Sequence, residues 1–235
     1  MAMADLRREY SLGGLDRSDL APDPVTQFHQ WFSQASGARS GGRLRKIGIA
    51  LYKLWQAVLG REPVDVNAMT LATVDKEGRP SARMVLLKGV DERGFIFYTN
   101  YDSHKGRELA EDPNAALVFY WPDLERQVRV TGTVSKLPPA ESEAYFKSRP
   151  KGSRLAAWAS NQSEVTPNRQ ALDEKWRLMA AKFPGDDVPL PPFWGGYVLS
   201  LTRLEFWQGR PDRLHDRFRY ARQPDHSWKI ERLAP

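Results

Sequence analysis

The spacing of apolar residues changes near residue 67, from a helical period to a strand period. Upstream, residues 25–35 carry apolar side chains three and four positions apart, which predicts an amphipathic helix. The same spacing in a basic stretch predicts a second helix over 43–59. A basic amphipathic helix either binds a membrane surface or a partner, or packs on its own domain or a dimer mate. We favour packing, because surface helices with one apolar stripe are common.

Downstream of residue 67, short β-rich segments alternate with turns that contain Gly, Asp or Pro. The predicted strands are 68–74, 80–88, 95–100, 115–121, 125–137, 197–201, 203–207, 213–220 and 227–233. Helices are predicted over 103–111, 139–148 and 168–183, and a Pro-rich loop over 186–196 ends at a close-packed glycine pair. In the fifth strand, Val128, Val130, Gly132 and Val134 share one face. The elements predict a small antiparallel barrel decorated by helices, a mainly β fold of the α+β class.

Residue types and motifs that the sequence does not contain exclude several classes of catalytic and metal site. The 235 residues contain no Cys, and the four His are widely spaced, so disulfides, thiolate catalysis and a metal site are not expected. No Gly-rich dinucleotide motif or P-loop is present, so redox chemistry would need another bound cofactor. The N-terminus shows no apolar signal segment and no apolar run reaches membrane-spanning length, which predicts a cytoplasmic protein.

The net charge of +6 is compatible with phosphorylated small molecules, nucleic acid or an anionic membrane. The most basic stretch lies between two aromatic clusters near the C-terminus. If residues 213–219 form a strand, Arg213, His215 and Arg217 point to one face, where like charges repel. That face either binds an anionic partner or belongs to an edge strand charged against aggregation. The flanking aromatic residues favour a binding site.

Two other basic positions also suit an anion. Ser103 is the expected N-cap of a helix with His104 and Lys105 in its first turn, where basic groups oppose the helix dipole unless an anion binds. A solvated first turn is the alternative. Arg83 and Lys88 bracket an apolar strand, and their odd separation places them on opposite faces. A bulge or a site shared between subunits would be needed to bring them together.

Tyr145, Arg149 and Ser153 are spaced four residues apart. On one helical face they would offer two hydroxyls and a guanidinium to a single phosphate. Pro150 interrupts such a helix, so a helix end with ordinary caps is the alternative.

Ten motifs follow one another along the chain. They are LRREY (6–10), RMVLLKG (83–89), FYTN (97–100), LERQVRVTG (124–132), YFKSRP (145–150), WASNQS (158–163), VPLPPFWGG (188–196), LEFWQG (204–209), RLHDRF (213–218) and KIERLAP (229–235). In this order they resemble the FMN-dependent pyridoxine/pyridoxamine 5'-phosphate oxidase family. The resemblance implies a split β-barrel of antiparallel, Greek-key-like topology with peripheral helices. It also implies a homodimer with FMN sites at the subunit interface.

The resemblance further implies a cofactor site and a substrate site. FMN would contact Arg83, Met84, Val85, Leu86, Leu87, Lys88, Tyr98, Thr99, His104, Lys105, Gln127, Gln162, Ser163, Trp207 and Arg217. The substrate would contact Arg7, Arg8, Glu9, Tyr10, Lys88, Tyr145, Arg149, Ser153, Arg213, Leu214 and His215. The arm at residues 7–10 would close over the substrate.

The implied reaction oxidises pyridoxine 5'-phosphate and pyridoxamine 5'-phosphate to pyridoxal 5'-phosphate, in vitamin B6 biosynthesis or salvage. A hydride passes from the exocyclic carbon of the substrate to FMN. Dioxygen then takes the electrons and gives hydrogen peroxide, and the amine also releases ammonia. Arg213 and His215 are the expected catalytic residues, with Arg213 positioning the ring and His215 supporting it.

Two features depart from the family pattern. His104 stands where the family usually has Arg, and a shorter, partly charged side chain predicts weaker or more pH-dependent FMN binding. Residues near 38–60 resemble an insertion. We therefore divide the chain into an N-terminal arm with helices, residues 1–66, and an FMN-binding barrel with a C-terminal dimerisation and substrate region, residues 67–235.

Two alternative functions remain open at this stage. A related flavin oxidase of phenazine biosynthesis would share the barrel and tail motifs, but Lys88, Tyr145 and Arg149 better suit a phosphorylated substrate. A basic barrel that binds nucleic acid without flavin would also carry this charge. A flavin absorption spectrum would exclude the second alternative.

Overall fold

The structure is a computed structural model that describes residues 9–37 and 65–235. Arg7, Arg8, the predicted helix over 43–59 and the proposed insertion near 38–60 lie outside the described residues. Within the two described ranges, every helix is too short or too polar to cross a membrane.

Strands dominate the described part of the chain. They are β1 (Ala68–Val74), β2 (Pro80–Leu86), β3 (Gly89–Asp91), β4 (Gly94–Asn100), β5 (Asn114–Trp121), β6 (Arg126–Lys136), β7 (Trp194–Gln208), β8 (Asp216–Arg222) and β9 (Trp228–Leu233). Their order in the sheet is β2-β1-β5-β6-β7-β4-β3, and β8 pairs with both β7 and β9. The helices are α1 (Pro24–Ala35), α2 (His104–Glu111), α3 (Pro139–Ser148), α4 (Lys151–Ala159) and α5 (Arg169–Lys182).

Most predicted elements are confirmed, and the differences are local. Two short elements, β3 and α4, were not predicted, because three and nine residues carry little periodic signal. The two segments predicted over 197–201 and 203–207 form one continuous strand, β7. The predicted apolar face of β6 is confirmed, since Val128, Val130 and Val134 are all buried.

The described chain groups into two compact units. The terminal unit comprises the described residues up to Thr70 together with 117–131 and 201–235, and the central unit comprises 71–116 and 132–200. The proposed division of the chain at residue 67 remains a prediction.

In the central unit, β4 pairs antiparallel with the first half of β7, and Tyr98 lies opposite Gly196. A Cβ atom added to Gly196 would lie 2.5 Å from Leu137 Cδ1 and 2.8 Å from Tyr98 Cε1. Only glycine fits this approach, so the prediction of a close-packed glycine there is confirmed. The consequence is that the Tyr98 ring lies directly against the β7 backbone.

In the terminal unit, the core is built from large aromatic side chains. Trp31 of α1 packs edge-on against Phe206 of β7, with ring centroids 5.0 Å apart, and Phe206 contacts Tyr220 of β8 at 5.7 Å. All three side chains are almost completely buried, which contributes roughly 1.5–3 kcal/mol of stability for each side chain. Helix α1 begins at Pro24 because the Asp23 side chain caps its first turn. The core holds the C-terminal half of β7 and β8 in place.

Candidate functional site

A buried polar network surrounds Arg83 in the central unit. Arg83 Nη2 donates to Glu108 Oε2 at 3.0 Å, and Arg83 Nη1 donates to the carbonyl oxygen of Leu71 at 3.2 Å. Glu108 is only 3% exposed and also accepts from the hydroxyls of Thr73 and Ser81, each at 2.6 Å. Burial acts to raise the pKa of Glu108, but these hydrogen bonds and the nearby positive charges lower it overall. The carboxylate therefore holds Arg83 in one orientation.

Helix α2 begins at this network. Ser103 is its N-cap as predicted, because its Oγ accepts from the backbone N–H of Gly106 at 3.3 Å. His104 Nε2 lies 3.0 Å from Glu108 Oε1, one turn further along the same helix. The residue that replaces the usual Arg thus contacts the same carboxylate as Arg83.

Lys105, the next residue of α2, is 7% exposed. Its Nζ donates to Gln162 Oε1 at 2.8 Å, Thr99 Oγ1 at 3.1 Å and Ser103 Oγ at 3.2 Å. Burial, followed by the charge of Arg83, lowers the pKa of Lys105 to about 8, although Glu108 acts in the opposite direction. A buried ammonium held by neutral oxygens fits a site for an anion, because a bound phosphate would supply the missing negative charge.

A phosphate bound at Lys105 should make FMN affinity depend on pH. A dianion favours the charged ammonium, so its binding raises the pKa of Lys105 above the value of about 8 in the free protein. The FMN dissociation constant should therefore rise only about twofold between pH 7 and 8 and more steeply above pH 8, by up to about tenfold per pH unit. Quenching of flavin fluorescence measures it. Lys105→Arg keeps its charge throughout and should give a flat profile; a slope unchanged by Lys105→Arg would contradict this assignment.

Three aromatic rings stack in a second part of the central unit. The ring of Tyr98 lies 3.8 Å from that of Tyr145 and 5.7 Å from that of Trp194, and all three are nearly parallel. The guanidinium carbon of Arg149 lies 4.7 Å from the Trp194 ring centroid. Arg149 Nη1 is buried and has no hydrogen-bond partner among the described residues, and burial lowers its pKa. A buried N–H without an acceptor is costly, so this position fits an anionic ligand.

Of the two interpretations of Tyr145, Arg149 and Ser153, the structure shows the helix end and not a single helical face. Helix α3 ends at Ser148, Arg149 is extended with φ −76° and ψ 148°, and α4 begins at Lys151. The ring of Pro150 disfavours helical geometry at Arg149, so Ser153 lies on a different helix. Tyr145 and Arg149 nevertheless meet, because both pack on Trp194.

The apparent conflict between Arg83 and Lys88 has a local explanation. Strand β2 ends at Leu86, and residues 87–88 form an irregular break before β3, so alternation along one strand does not relate the two side chains. Lys88 is exposed, and its backbone N–H donates to the carbonyl oxygen of Ile96 at 2.8 Å.

The remaining cofactor candidates differ in exposure. Val85 and Gln127 are half-buried and Leu87 is buried, whereas Met84, Leu86 and Ser163 are exposed. Ser163 adopts a left-handed backbone, with φ 76°.

In the terminal unit, the first part of the strand predicted over 213–219 is wrong. Residues 211–213 form a short 3-10 turn, and β8 begins only at Asp216. Asp212 and Arg213 both have left-handed backbones, with φ 56° and 61°, which no regular strand allows. Arg213, His215 and Arg217 therefore do not share a strand face.

Three arginines of this basic stretch have a carboxylate partner within the unit. Arg217 pairs with Glu205 of β7 at 2.8 Å, Arg219 with Glu231 of β9 at 2.6 Å, and Arg210 with Asp216 at 3.4 Å. Arg213 is exposed and has no ion pair or hydrogen bond to any residue in the described ranges. Of the predicted cationic cluster, Arg213 is thus the charge left for a ligand.

A backbone hydrogen bond selects one tautomer of the neutral His215 ring. Its Nδ1 accepts from the backbone N–H of Arg210 at 3.1 Å, so the ring proton lies on Nε2. Burial and then the charge of Arg213 lower the pKa of His215, which favours the neutral ring. The ring packs 4.6 Å from that of Trp207 and 5.5 Å from that of Tyr10. His215 therefore presents an Nε2–H donor beside two aromatic residues. The other two substrate candidates of this region, Glu9 and Leu214, are exposed.

Sequence reasoning missed several residues that hold the candidate side chains, among them Glu108, Trp194 and Glu125. Glu108 follows His104 by four positions, and this helical spacing predicts contact. Trp194 precedes the glycine pair in a quoted motif, yet its stacking partners come from other segments. Glu125, which contacts the N-terminal segment, gives no local signal.

Comparisons with known proteins place the chain in a family. Residues 61–177 match a family model described as pyridoxamine 5'-phosphate oxidase, and residues 194–235 match the C-terminal dimerisation region of pyridoxine 5'-phosphate oxidase. The pyridoxine/pyridoxamine 5'-phosphate oxidase of Paraburkholderia phymatum is 53% identical over 233 residues, covering 99% of both chains. The chain belongs to the pyridoxine/pyridoxamine 5'-phosphate oxidase family.

Other relatives agree with this placement. Oxidase 1 of Ralstonia nicotianae is 53% identical over all of this chain and 99% of its own. The crystal structure of PhzG from Burkholderia lata, in complex with tetrahydrophenazine-1-carboxylic acid, is 34% identical with a TM-score of 0.69, covering 80% of this chain and 92% of that one. A related FMN-binding protein from Nostoc punctiforme, 21% identical, has a TM-score of 0.59 over 84% of this chain and 100% of its own, which supports the fold.

These comparisons confirm several predictions. The split-barrel fold class, the oxidoreductase class and FMN as the family's cofactor are confirmed. The match to the dimerisation region supports a homodimer.

Proposed function

We propose that this protein oxidises pyridoxine 5'-phosphate and pyridoxamine 5'-phosphate to pyridoxal 5'-phosphate. Dioxygen is the electron acceptor and hydrogen peroxide the second product, with ammonia released from the amine. The observation that carries the proposal is Arg149, whose buried Nη1 lacks a partner among the described residues beside the Tyr145 ring and over Trp194. A phosphate ester on an aromatic ring suits both features.

The residues around Arg83 and Lys105 suit the phosphate of FMN. Two cations, the N-terminus of α2 and the hydroxyls of Ser81 and Thr99 lie in this network, a combination that favours a dianion. When bound, FMN supplies the hydride acceptor for the substrate and passes the electrons to dioxygen. The remaining cofactor candidates keep the roles implied by the family resemblance, in a site shared between two subunits of a cytoplasmic homodimer.

Arg213 and His215 would divide the work at the reacting end of the substrate. The neutral His215 ring can donate a hydrogen bond from Nε2 but cannot accept a proton at Nδ1 without losing the bond from Arg210. We therefore assign His215 as a donor that orients the substrate and Arg213 as the cation that positions its ring. Tyr10 and Trp207, which pack on His215, restrict water around it.

Replacing Arg149 tests the proposal directly. Arg149→Met should raise the KM for pyridoxine 5'-phosphate about 100-fold, because a charged hydrogen-bond partner of the phosphate is lost, while the protein stays yellow. Oxygen uptake and the absorbance of the aldehyde product measure turnover in air. Arg169→Met removes an exposed arginine of α5 that pairs with Asp173 and serves as the matched control. An unchanged KM in Arg149→Met would refute the assignment of the substrate phosphate.

Oxidation of a phenazine precursor is the second candidate, and the structural similarity to PhzG favours it. That candidate predicts turnover of a tricyclic carboxylic acid without phosphate. Tyr145 and Arg149, together with relatives of higher identity, favour the phosphorylated substrate. Measuring both substrates with the purified yellow protein separates the two functions.

A further inference from the structure

The segment that carries Tyr10 is anchored by two carboxylates of the terminal unit. Glu125 Oε2 accepts from the backbone N–H groups of Ser11 at 2.8 Å and Leu12 at 3.0 Å. Asp216 Oδ2 accepts from the backbone N–H of Leu15 at 3.0 Å. Hydrogen bonds to a carboxylate are roughly twice as strong as those between neutral groups. A segment without regular secondary structure is therefore fixed at two points.

Glu125 is built into the unit and is not a surface acid. It is 3% exposed and has a left-handed backbone, with φ 53°, directly after the 3-10 turn Pro122–Leu124. Its carbonyl oxygen accepts from the backbone N–H of Gly209 at 2.8 Å and from Gln208 Nε2 at 3.3 Å. Glu125 is thus joined to the end of β7, next to Trp207.

This anchor determines where the Tyr10 ring lies. Tyr10 directly precedes Ser11, and its ring centroid is 5.4 Å from that of Trp207 and 5.5 Å from that of His215. The space for the ring depends on Gly209, where an added Cβ would lie 2.7 Å from Tyr10 Cδ1. Without the bonds to Glu125, the Tyr10 ring would lose its fixed position beside His215.

We propose that Glu125 is a positioning residue, which holds the N-terminal segment so that Tyr10 lies against His215 and helps to enclose the substrate. The inference rests on the proposed function and on the substrate contacts of Tyr10 and His215 that the family resemblance implies. Glu125 is not among the residues expected to contact the substrate or the cofactor, and it acts through the backbone of residues 11 and 12.

Hydrogen exchange and kinetics on the FMN-loaded protein test this role together. In Glu125→Ala, the amides of Ser11 and Leu12 should exchange at least about tenfold faster. The KM for pyridoxine 5'-phosphate should rise about 10-fold to 100-fold, with kcat changed less than about threefold. Glu125→Gln keeps one acceptor oxygen and should lie between the wild type and Glu125→Ala. Glu77→Ala, which removes an exposed, ion-paired carboxylate, should behave as the wild type in both measurements.

Ser11→Pro covers the case in which Glu125→Ala does not fold. It removes one of the two N–H donors at an exposed position and leaves the buried carboxylate in place. Faster exchange at Leu12 and a raised KM are expected there too.

Unchanged exchange in both Glu125→Ala and Ser11→Pro would overturn the anchor. Faster exchange with an unchanged KM would overturn the positioning role. Failure of the wild type to oxidise pyridoxine 5'-phosphate would reject the proposed function and the positioning role with it. The anchoring of residues 11 and 12 by Glu125 would still be tested, because hydrogen exchange is measured without substrate.

Discussion

Replacing Arg213 by Leu is expected to lower kcat/KM for pyridoxine 5'-phosphate about 100-fold to 1000-fold, because an unpaired cation that meets the substrate contributes a strong charged contact. FMN affinity should change less than about threefold, since Arg213 is not among the residues expected to hold FMN. The left-handed backbone of Arg213 supports a functional role, because such strain persists mainly at functional sites.

The pH profile of the same variant provides a second measurement. The charge of Arg213 lowers the pKa of His215, so its removal should raise that pKa. The acid limb of kcat/KM, where His215 becomes protonated, should therefore move to higher pH in Arg213→Leu. Arg203→Leu, at an exposed arginine of β7, is the matched control for both measurements. If Arg213→Leu turned over at the wild-type rate, the assignment of Arg213 would be wrong.

Lys105→Met should stabilise the FMN-free protein against unfolding but weaken its binding of FMN. In the free protein the pKa of Lys105 is about 8 rather than 10.5, so its ammonium is destabilising at neutral pH. Met removes that charge and should raise the free energy of unfolding of the FMN-free protein by about 1 to 3 kcal/mol. The same change should weaken FMN binding about 100-fold or more, because the phosphate loses a charged donor.

The buried Lys105 should also make the stability of the FMN-free protein depend on pH. The unfolded state binds more protons at Lys105 than the folded state between pH 8 and 10.5, so the stability of the FMN-free wild type should rise through that window. Lys105→Met should lack this rise.

Arg83→Leu is a less specific test, because it leaves the buried Glu108 without its arginine partner and should destabilise the fold itself. Denaturant unfolding and FMN titration of Lys105→Met and the wild type measure both effects; a less stable FMN-free variant would contradict the proposed cost of burying Lys105.

Features that depend on local pattern were predicted well. The bounds of β1 match the prediction residue for residue, and α1 and α2 each differ by one residue. The Ser103 cap and the buried face of β6 were also correct. Each of these depends on side-chain period or on a cap within four residues, and both are local properties of the chain.

Side-chain period alone did not decide arrangements that require regular backbone geometry through one particular position. A single helical face for Tyr145 and Ser153 requires a helix through Pro150, and the shared strand face of Arg213 and Arg217 requires extended backbone at Asp212. A proline ring and a left-handed residue change the chain direction. The periodicity of apolar side chains does not show where the chain changes direction.

The sequence by itself determined the mainly β fold with its principal helices, the absence of thiol chemistry, and the set of motifs that marks the family. The tertiary structure decided which charges are balanced internally, that Arg149 Nη1 is left without a partner among the described residues, and that Glu108 and Glu125 hold Arg83 and the Tyr10 segment. The physical reason is that period, capping and composition act over a few residues, whereas these contacts join segments 25 to 114 positions apart. Such contacts depend on strand register and turn geometry, which the whole chain sets together.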